Sequence, residues 1–447
     1  MVSNILVTMQ SSNFDTQNMN IDTHNVDNME QLIENNNEQL ENMNLKFSSK
    51  PTLAQTNDTN LLSLLNIPQE FAHLVKRYDE TNDLALYHYT TSSVPDIAHV
   101  RGVVVTKSTT PKIVAKSFPF TPEIVSTSLV SPDFDPDNAC VSKAYEGTVI
   151  RVFYYNGVWY LSTHKKINGE MSRWGSPTFG SLFNECWGVL TDNGKPAFDG
   201  FLNKDHCYVF MMSHPANALV CVNKNKTLYH IATYDTSGAL PRPIVESLES
   251  PLLKNVKNPI KEDIKSPDEL VAFVNNLNSR DCSGVIVTFK NSPVMYKVIN
   301  QDYYRKRNVR GNEPNIRLRY LQLERIHGMN TDELRALLPE KNLMFDYVEK
   351  NRTRLTNYLC DHYIHKYVNQ NVRNLPREEE NFLYTVSNLP LLQKLPTKKF
   401  LHPTQKEQIK KVIFNYLRNV THPRDVNEMI KHMLASRKQM FEHKFNN

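Results

Sequence analysis

One β-hairpin constrains the fold of this chain more than any other feature of the sequence. Its two arms, residues 149–155 and 158–163, are rich in β-branched and aromatic side chains, which is the composition of strands. Between them stands Asn156-Gly157, a dipeptide that two-residue type I′ turns favour because both central residues need positive φ. We therefore expect an antiparallel sheet in the middle of the chain.

A candidate nucleophile precedes the hairpin in the segment Lys143-Ala-Tyr-Glu146-Gly147. A lysine amine attacks phosphorus when it is held neutral, and a neighbouring glycine lets the backbone approach a nucleotide closely. The alternative, which the motif taken alone favours, is a surface lysine at the entrance of a strand. Because His164, Lys165 and Lys166 follow the second arm, we expect the hairpin to bring two groups of cations toward one end of a sheet.

The charge of the chain is distributed unevenly. Its 447 residues have the length of two or three domains and carry a net charge of +5. Residues 1–60 hold two Lys and eight Asp or Glu, a net charge of −6 that leaves +11 for the remainder. A basic body favours polyanionic partners such as nucleic acid.

The cysteines and the apolar runs indicate an intracellular protein. The six cysteines include no C-x-x-C pair, which argues against a zinc ribbon and against a secreted disulfide framework. No apolar run approaches the length of about 18 residues that a membrane-spanning helix needs, so no membrane partner is expected. The N-terminus also lacks a secretory signal pattern.

Composition divides the chain into three predicted parts. Residues 1–60 are polar, acidic and without glycine, which predicts a disordered tail. Residues 61–325 contain mostly strand patterns with a few helices, which predicts an antiparallel α+β domain. Residues 326–447 have helical periodicity punctuated by proline and are predicted to form a small all-helical domain. Within the middle part, residues 61–78 have a roughly helical spacing that is broken by Pro68, and residues 218–222 are predicted to form a strand.

Three cations interrupt apolar strand patterns, at Arg101, Lys116 and Lys297. The Arg guanidinium binds phosphate through two parallel hydrogen bonds, and a buried lysine needs a partner that a nucleotide phosphate supplies. The alternative is a solvated strand edge, which is favoured for Arg101 and Lys116 and equally weighted for Lys297.

A basic segment with interleaved aromatic residues follows these strands. It contains Tyr303-Tyr-Arg305-Lys306-Arg307 and then Arg310. Such a segment suits the phosphates and bases of RNA. An ordinary charged helix face is the alternative, and it is favoured when the segment is considered in isolation.

Taken in chain order, these segments resemble the covalent nucleotidyltransferases, specifically the RNA ligase family of the phage tRNA-repair type. The closer likeness is to ligase-like proteins of large DNA viruses, and it rests on the order and spacing of motifs over residues 95–320. The matching segments are Arg101-Gly102, Phe118-Pro119, Lys143 to Gly147, Tyr154 to Thr163, Tyr208 to Asn217, Ser283 to Val287, and Tyr296-Lys297-Val298 through Arg310-Gly311-Asn312-Glu313-Pro314. The implied fold is an antiparallel-sheet, ATP-grasp-like ligase domain followed by a helical C-terminal domain.

The resemblance implies an ATP-dependent RNA ligase. Lys143 would attack the α-phosphate of ATP and form lysyl-AMP, with Mg²⁺ or Mn²⁺ as cofactor and with Lys165 and Lys297 nearby to favour the neutral amine. The AMP would then pass to an RNA 5′-phosphate, and an RNA 3′-hydroxyl would displace it. The residues implied to bind the nucleotide or its phosphates are Arg101, Lys116, Glu146, Gly147, Lys165 and Lys297. The residues expected to bind RNA are Arg305, Lys306, Arg307 and Arg310.

The resemblance to viral proteins also implies a cellular location. We expect the protein in the cytoplasm of a virus-infected host cell, with the virion as the alternative.

Several departures from the family pattern bear on activity. The usual ligase motif is Lys-x-Asp-Gly, whereas here one residue is added and Glu146 replaces the Asp. Met211 and Ser283 stand where the family places glutamates that serve the ribose or the metal. Asp281, two residues before Ser283 and therefore expected on the same strand face, is the candidate substitute metal ligand.

Two alternatives to an active RNA ligase remain. The first is a degenerate ligase-fold pseudoenzyme that binds RNA or serves as a viral structural or interaction protein. The second, guanylyl transfer to RNA 5′ ends, is less favoured because helices follow Lys297, where the strands of an oligonucleotide-binding barrel would be expected.

Overall fold

The computed structural model describes residues 59–126, 134–175, 177–222, 225–248, 250–290, 292–326, 330–371, 374–393 and 401–445, with side chains except at 59, 293 and 437–445. The described residues all belong to one compact unit, Lys50–Asn447. Most of the tail predicted over residues 1–60 lies outside them. Within the described ranges, no helix combines the length and the apolar character needed to span a membrane.

The strands of the described ranges form three sheets. The first is antiparallel and has the order β1 (Val75–Glu80), β2 (Leu84–Tyr89), β3 (Arg101–Thr106), β4 (Ile113–Ala115). The second has the order β11 (Arg242–Ile244), β10 (Thr227–Asp235), β9 (His206–Ser213), β7 (Thr148–Tyr155), β8 (Val158–Ser162), with β12 (Val256–Lys257) parallel to β10. The third has the order β13 (Lys261–Glu262), β6 (Ala139–Ala144), β14 (Gly284–Phe289), β15 (Ser292–Ile299), β5 (Glu123–Val125), the last pair parallel.

The hairpin predicted from the sequence is the β7–β8 pair of the second sheet. Asn156 and Gly157 have φ angles of 48° and 83°, as a type I′ turn requires. One face of this sheet is covered by helix α2 (Phe179–Trp187), whose Trp187 side chain packs in T-shaped contact on Phe210 of β9. This packing fixes the register of the sheet, because a slip of one residue would turn its apolar side chains to the other face.

The third sheet has one face packed by a helix and a second face, called the open face, that is partly exposed along β14 but buried around Ile299. Helix α3 (Pro267–Asn276) covers the packed face, where Leu270 shares a hydrophobic core with Val285 and Val287 of β14. Side chains alternate along a strand, so Ile286 between them points to the opposite face, where it is partly exposed. This distinction decides which candidate site residues can meet.

Helices make up most of the described chain after the third sheet. They are α4 (Gln301–Arg310), α5 (Ile316–Leu323), α6 (Thr331–Leu337), α7 (Asn342–Tyr363), α8 (Arg377–Ser387), α9 (Pro390–Gln393), α10 (Pro403–Asn419) and α11 (Pro423–Phe445), while α1 (Thr59–Leu64) precedes the first sheet. The predicted fold class, α+β with antiparallel-rich sheets followed by helices, is confirmed.

The core of the C-terminal helices begins earlier in the chain than residue 326. Val309 on α4 and Tyr320 on α5 are buried in the same cluster as Phe345 of α7 and Leu383 of α8. The rings of Tyr320 and Phe345 stack with centroids 4.7 Å apart. Helices α4 and α5 therefore contribute to this core, and the division at residues 325 and 326 stays a prediction.

One local prediction holds in part and another is wrong. The break at Pro68 is confirmed, since α1 precedes it and a 3₁₀ turn at Gln69–Leu74 follows it, but β1 begins at Val75, where helical spacing was still expected. The strand predicted at 218–222 is absent from the described structure. The amides of Leu219, Val220 and Cys221 are donated to a side-chain carboxylate and so are not available to a neighbouring strand.

Candidate phosphate-binding site

Lys143 and Lys297 lie on opposite faces of the third sheet. Lys143 on β6 is paired with Val285 of β14, whereas Lys297 on β15 is paired with Ile286. Residues directly opposite each other share a face, and consecutive residues of one strand do not. The expectation that Lys297 stands beside the Lys143 amine is therefore wrong.

The Lys143 side chain belongs to the face that α3 covers. Its Nζ lies 3.3 Å from Oε1 of Glu262 on β13, and the two side chains are 30% and 22% exposed. Lys143 also donates its backbone N–H to the Ile260 carbonyl at 2.9 Å. Glu262 of the edge strand β13 thus holds the Lys143 side chain, and Ile260, directly before that strand, holds its main chain.

The extra residue in the Lys-x-x-Glu-Gly motif accounts for the orientation of Lys143. In the family spacing Lys-x-Asp-Gly, the lysine stands two residues before the acid, and that position here is Ala144. Ala144 pairs with Gly284, which pairs with Ile299, so all three are in register with the open face that Lys297 shares. Because consecutive residues of a strand lie on opposite faces, a lysine at position 144 would share the face of Lys297, whereas Lys143 does not.

Glu146 binds a loop of its own chain. Its carboxylate is buried and accepts the N–H groups of Leu219, Val220 and Cys221. The Tyr303 hydroxyl on α4 donates to the same carboxylate at 2.9 Å. The oxygens of Glu146 are therefore engaged by protein donors, and its nucleotide-binding role stays a prediction.

Gly147 allows two strands to approach closely. A Cβ atom at this position would lie 2.2 Å from the Met212 carbonyl oxygen on β9. No side chain fits there, so the sequence needs glycine at the start of β7 for packing. The structure gives this residue a packing role, and its role in binding a nucleotide stays a prediction.

Glu123 on β5 links two of the predicted cations. It lies 3.2 Å from Lys297 Nζ and 2.6 Å from Arg307 Nη1. Burial raises the pKa of Glu123, but Lys297 and Arg307 together outweigh burial and hold it below its ordinary value. Sequence reasoning missed this residue, since nothing around Glu123 distinguishes it from a surface acid.

Arg101 and Lys165 come together around two histidines. Arg101 lies over the Phe118 ring at 4.9 Å, and Lys165 Nζ lies 5.1 Å from the centre of the Tyr78 ring. Both cations lower the pKa values of His88 and His164. Neither cation forms an ion pair within 4 Å in the described part of the chain. We call Arg101, Lys165, His88 and His164 the cationic cluster.

Lys116 lies on a neighbouring part of the surface. Its Nζ stands 5.4 Å from the centre of the Tyr234 ring, and burial lowers the pKa of this lysine. The next residue, Ser117, contacts His164 through its hydroxyl at 3.3 Å. Lys116 is thus joined to the cationic cluster through the chain, and the described contacts give it no acidic partner.

The predicted RNA-binding cations are largely engaged by the protein itself. Arg305 pairs with Asp302 and Glu333, and Lys306 pairs with Asp302 at 2.6 Å. Arg310 is only 5% exposed and donates to the Glu313 carbonyl at 2.9 Å. Burial lowers its pKa to about 10. Their role in binding RNA stays a prediction.

The residues at the predicted metal positions do not form a ligand set. Asp281 lies in a turn before β14, which begins at Gly284, so the expectation that Asp281 shares a strand face with Ser283 is wrong. It accepts a hydrogen bond from Asn278 at 2.9 Å. Ser283 is buried and donates its hydroxyl to the Ala144 carbonyl at 2.7 Å.

One group of possible metal ligands does occur in the described residues, far from these positions in sequence. It consists of Glu378, Glu379 and His432. Asp281 is not a member of it.

Comparison with known proteins found some that are similar in structure and others that are similar in sequence. No protein-family model matches the chain. Among solved structures it is similar to an archaeal ATP-dependent RNA ligase, with 12% identity and a TM-score of 0.39 over 66% of this chain and 81% of the ligase. It is also similar to a putative ATP-dependent DNA ligase from Aquifex aeolicus, with 14% identity and a TM-score of 0.37 over 62% of this chain and 73% of that one.

The proteins similar to this chain in sequence are viral proteins. The Immediate-early protein ICP-46 homolog of Invertebrate iridescent virus 3 is 28% identical over 302 residues, which are 63% of this chain and 62% of that protein. The Immediate-early protein ICP-46 of Frog virus 3 (isolate Goorha) is 28% identical over 216 residues, 41% of this chain and 49% of that protein. The chain therefore spans less than two thirds of the length of these relatives.

Proposed function

We propose that this chain is a ligase-like nucleotidyltransferase fold that binds the phosphate groups of a nucleotide, either free ATP or the 5′ end of an RNA, without forming lysyl-AMP. Phosphate binding is supported by Arg101 and Lys165, which have no ion-pair partner within 4 Å in the described ranges, and the absence of lysyl-AMP is supported by the opposite placement of Lys143 and Lys297 on the third sheet. In this proposal the cationic cluster binds phosphate, and Lys297 extends the site on the open face.

The arrangement of charges supports phosphate binding. Arg101 and Lys165 have no ion-pair partner within 4 Å in the described ranges, whereas Lys297 shares Glu123 with Arg307. Glu123 also acts on Arg101 through its charge. A single carboxylate among these cations leaves net positive charge at a partly buried place, which favours a polyanion.

The position of Lys143 does not support nucleophilic catalysis. Reacting atoms must approach to about 3–3.5 Å in line before a phosphoryl group is transferred. The Lys143 amine is paired with Glu262 on the α3 face, and the third sheet separates it from Lys297. A nucleotide held at the open face therefore does not have the Lys143 amine within reach.

The residues present also do not fit a protein-held magnesium ion. Mg²⁺ prefers oxygen ligands in octahedral geometry. Met211 offers a thioether, the Ser283 hydroxyl is donated to Ala144, and Glu146 is engaged by backbone amides. We therefore expect tripolyphosphate to bind without a metal ion. A chelator added to the titration removes any free metal and tests this expectation.

Isothermal titration calorimetry tests the proposal by measuring how tightly the protein binds ATP and tripolyphosphate. We expect Arg101→Ala and Lys165→Ala each to weaken binding about tenfold or more, since a charge-assisted hydrogen bond contributes about 1.5–3 kcal/mol. Lys166→Ala is the matched control, because Lys166 follows Lys165 and is paired with Asp79 at 3.2 Å. Lys143→Ala is expected to bind ATP as wild type does. Absence of binding to ATP, tripolyphosphate and 5′-phosphorylated RNA would remove the proposal.

Lysyl-AMP formation at Lys143 followed by RNA sealing is the second candidate. Its supporting observation is that the motif does stand at the end of β6, directly before the predicted hairpin, with a side chain that is 30% exposed. For this chemistry Lys143 would have to leave Glu262 and reach the other face of the sheet.

A further inference from the structure

His88 and His164 form a pair of parallel rings within the cationic cluster. Their centroids lie 6.1 Å apart with 7° between the ring planes. His88 on β2 is 8% exposed and also contacts Tyr89, at 4.3 Å between centroids, and the edge of Tyr78, at 5.6 Å. His164 follows β8 and contacts the Ser117 hydroxyl. Strands of the first and second sheets thus bring the two rings together.

The charged groups that act on the two rings are cations. Arg101 of β3, Arg151 of β7 and Lys165 beside His164 all act on both histidines. Arg151 is fully buried and donates to the Ser162 hydroxyl at 2.7 Å and to the carbonyls of Gly102 and Thr163. These are neutral partners, so the positive charge of Arg151 is not compensated by them.

Asp79, the acidic residue of β1 near the two rings, already has partners of its own. Asp79 pairs with Lys166 Nζ at 3.2 Å and accepts the Ile167 N–H at 2.9 Å. On β1, Lys76 is the residue paired with His88, and Tyr78 contacts the His88 ring and lies under Lys165. The rings are therefore surrounded by positive charge and aromatic faces.

Buried polar atoms at this place lack partners. The Nδ1 atom of His88 and the Nε atom of Arg151 are inaccessible to solvent and have no hydrogen-bond partner. The His88 ring has a hydrogen bond to the Val100 backbone, so its Nδ1 atom is the ring nitrogen left to take up a proton when a nearby anion offsets the charge of the cations.

We propose that a phosphate group bound at Arg101 and Lys165 is bound together with protons, which the rings of His88 and His164 take up from solvent. This inference rests on the proposed function and adds a regulation by pH. The anion offsets the repulsion between the cations and a protonated ring, and it offers that ring an acceptor. Each proton comes from water and adds to an imidazole nitrogen, with no bond broken in the ligand.

The electrostatics give the sign of the effect. Burial, then Lys165, Arg101 and Arg151, lower the pKa of His88 to about 4, and burial with the same cations lowers the pKa of His164. Both rings are therefore neutral near pH 7 in the free protein. A bound anion raises these pKa values, so the affinity for phosphate increases as pH falls from about 7.5 to 5.5.

Calorimetry measures how many protons the protein takes up when it binds tripolyphosphate. The full chain is titrated at pH 6.5 in buffers of different ionisation enthalpy. Tripolyphosphate loses protons of its own, equally in every variant, so the difference between variants reports the histidines. We expect His88→Gln and His164→Gln each to take up fewer protons than wild type. His230→Gln is the control, because His230 is buried on β10 beside Thr233, with no cation among the causes that lower its pKa.

A second measurement needs no substitution. Histidine ring NMR signals of the wild type, with and without tripolyphosphate, report the protonation of each ring and remain informative if a variant fails to fold. Two rings that stay neutral in the complex at pH 5.5, or equal proton uptake by wild type and both variants, would overturn the inference. ATP and a 5′-monophosphorylated RNA repeat the titration and show which source of phosphate is preferred. Tripolyphosphate that does not bind at all would remove the proposed function, whereas binding without proton uptake would remove only this inference.

Discussion

The Glu146 carboxylate connects three parts of the chain. It follows β6, it accepts the amides of residues 219–221, and it accepts the hydroxyl of Tyr303 on α4. A buried carboxylate with this many donors stabilises the fold strongly, because removing its charge leaves several buried donors poorly satisfied. Its chemical environment is that of a structural residue.

We predict that Glu146→Gln lowers the free energy of unfolding by about 3 kcal/mol, since an amide nitrogen would face amide donors in place of one carboxylate oxygen. Glu262→Gln is the matched control. It breaks a partly exposed ion pair and should cost under about 1 kcal/mol. Urea denaturation followed by circular dichroism measures both, and equal effects of the two changes would contradict the structural role of Glu146.

The sequence suggests candidate residues for the site, but not the sheet faces on which they lie. Arg101 and Lys165 were recognisable as phosphate-binding candidates from the order of motifs. The partners of Lys143 and Lys297 were not, because Glu262 and Glu123 lie more than a hundred residues away in the chain and reach them only through strand pairing. The burial of the His88 Nδ1 atom without a hydrogen-bond partner likewise depends on packing that no local pattern encodes.

At the scale of elements, the register of β6 determines what the ligase-like motif can do. The hairpin after it was predictable because Asn156-Gly157 carries its own local signal. The face that Lys143 takes depends on which residue of β14 it opposes, and that pairing joins strands about 140 residues apart in the chain. Local propensity contains no information on such a pairing.

We predict that Gly147→Ala disrupts the junction of β6 and β7. The new Cβ would lie 2.2 Å from the Met212 carbonyl oxygen, so the strands must separate, and we expect a loss of about 3 kcal/mol or more. Gly157→Ala is the control, since nothing lies within 4 Å of its Cβ and only its φ of +83° is unfavourable. That change should cost about 1 kcal/mol. A Gly147→Ala protein as stable as wild type in chemical denaturation would contradict this close approach.

At the scale of the whole molecule, the stability of the fold depends on pH because a buried histidine binds a proton less readily in the folded state. The unfolded His88 ring binds a proton near pH 6.5, whereas burial and cations lower its pKa to about 4 in the folded protein. The unfolded state therefore binds more protons as pH falls below about 6.5, and stability decreases toward pH 4.

We predict that wild type loses about 1 kcal/mol or more of unfolding free energy between pH 7.5 and pH 5.5 from His88 alone. His88→Gln should show a smaller loss, while His73→Gln, which changes an exposed ring on the 3₁₀ turn, should behave as wild type. Urea titrations at the two pH values measure this. A loss of the same size in His88→Gln would show that other groups carry the pH dependence.

The central claim is that phosphate is bound without covalent chemistry, and denaturation of a labelled complex tests it most directly. The protein is incubated with α-labelled ATP and either Mg²⁺ or Mn²⁺, and one half is filtered under native conditions while the other is run on a denaturing gel. We predict label on the native filter, reduced in Arg101→Ala, and no label on the denatured chain. Label that survives denaturation in wild type and disappears in Lys143→Ala would contradict the claim and establish Lys143 as a nucleophile.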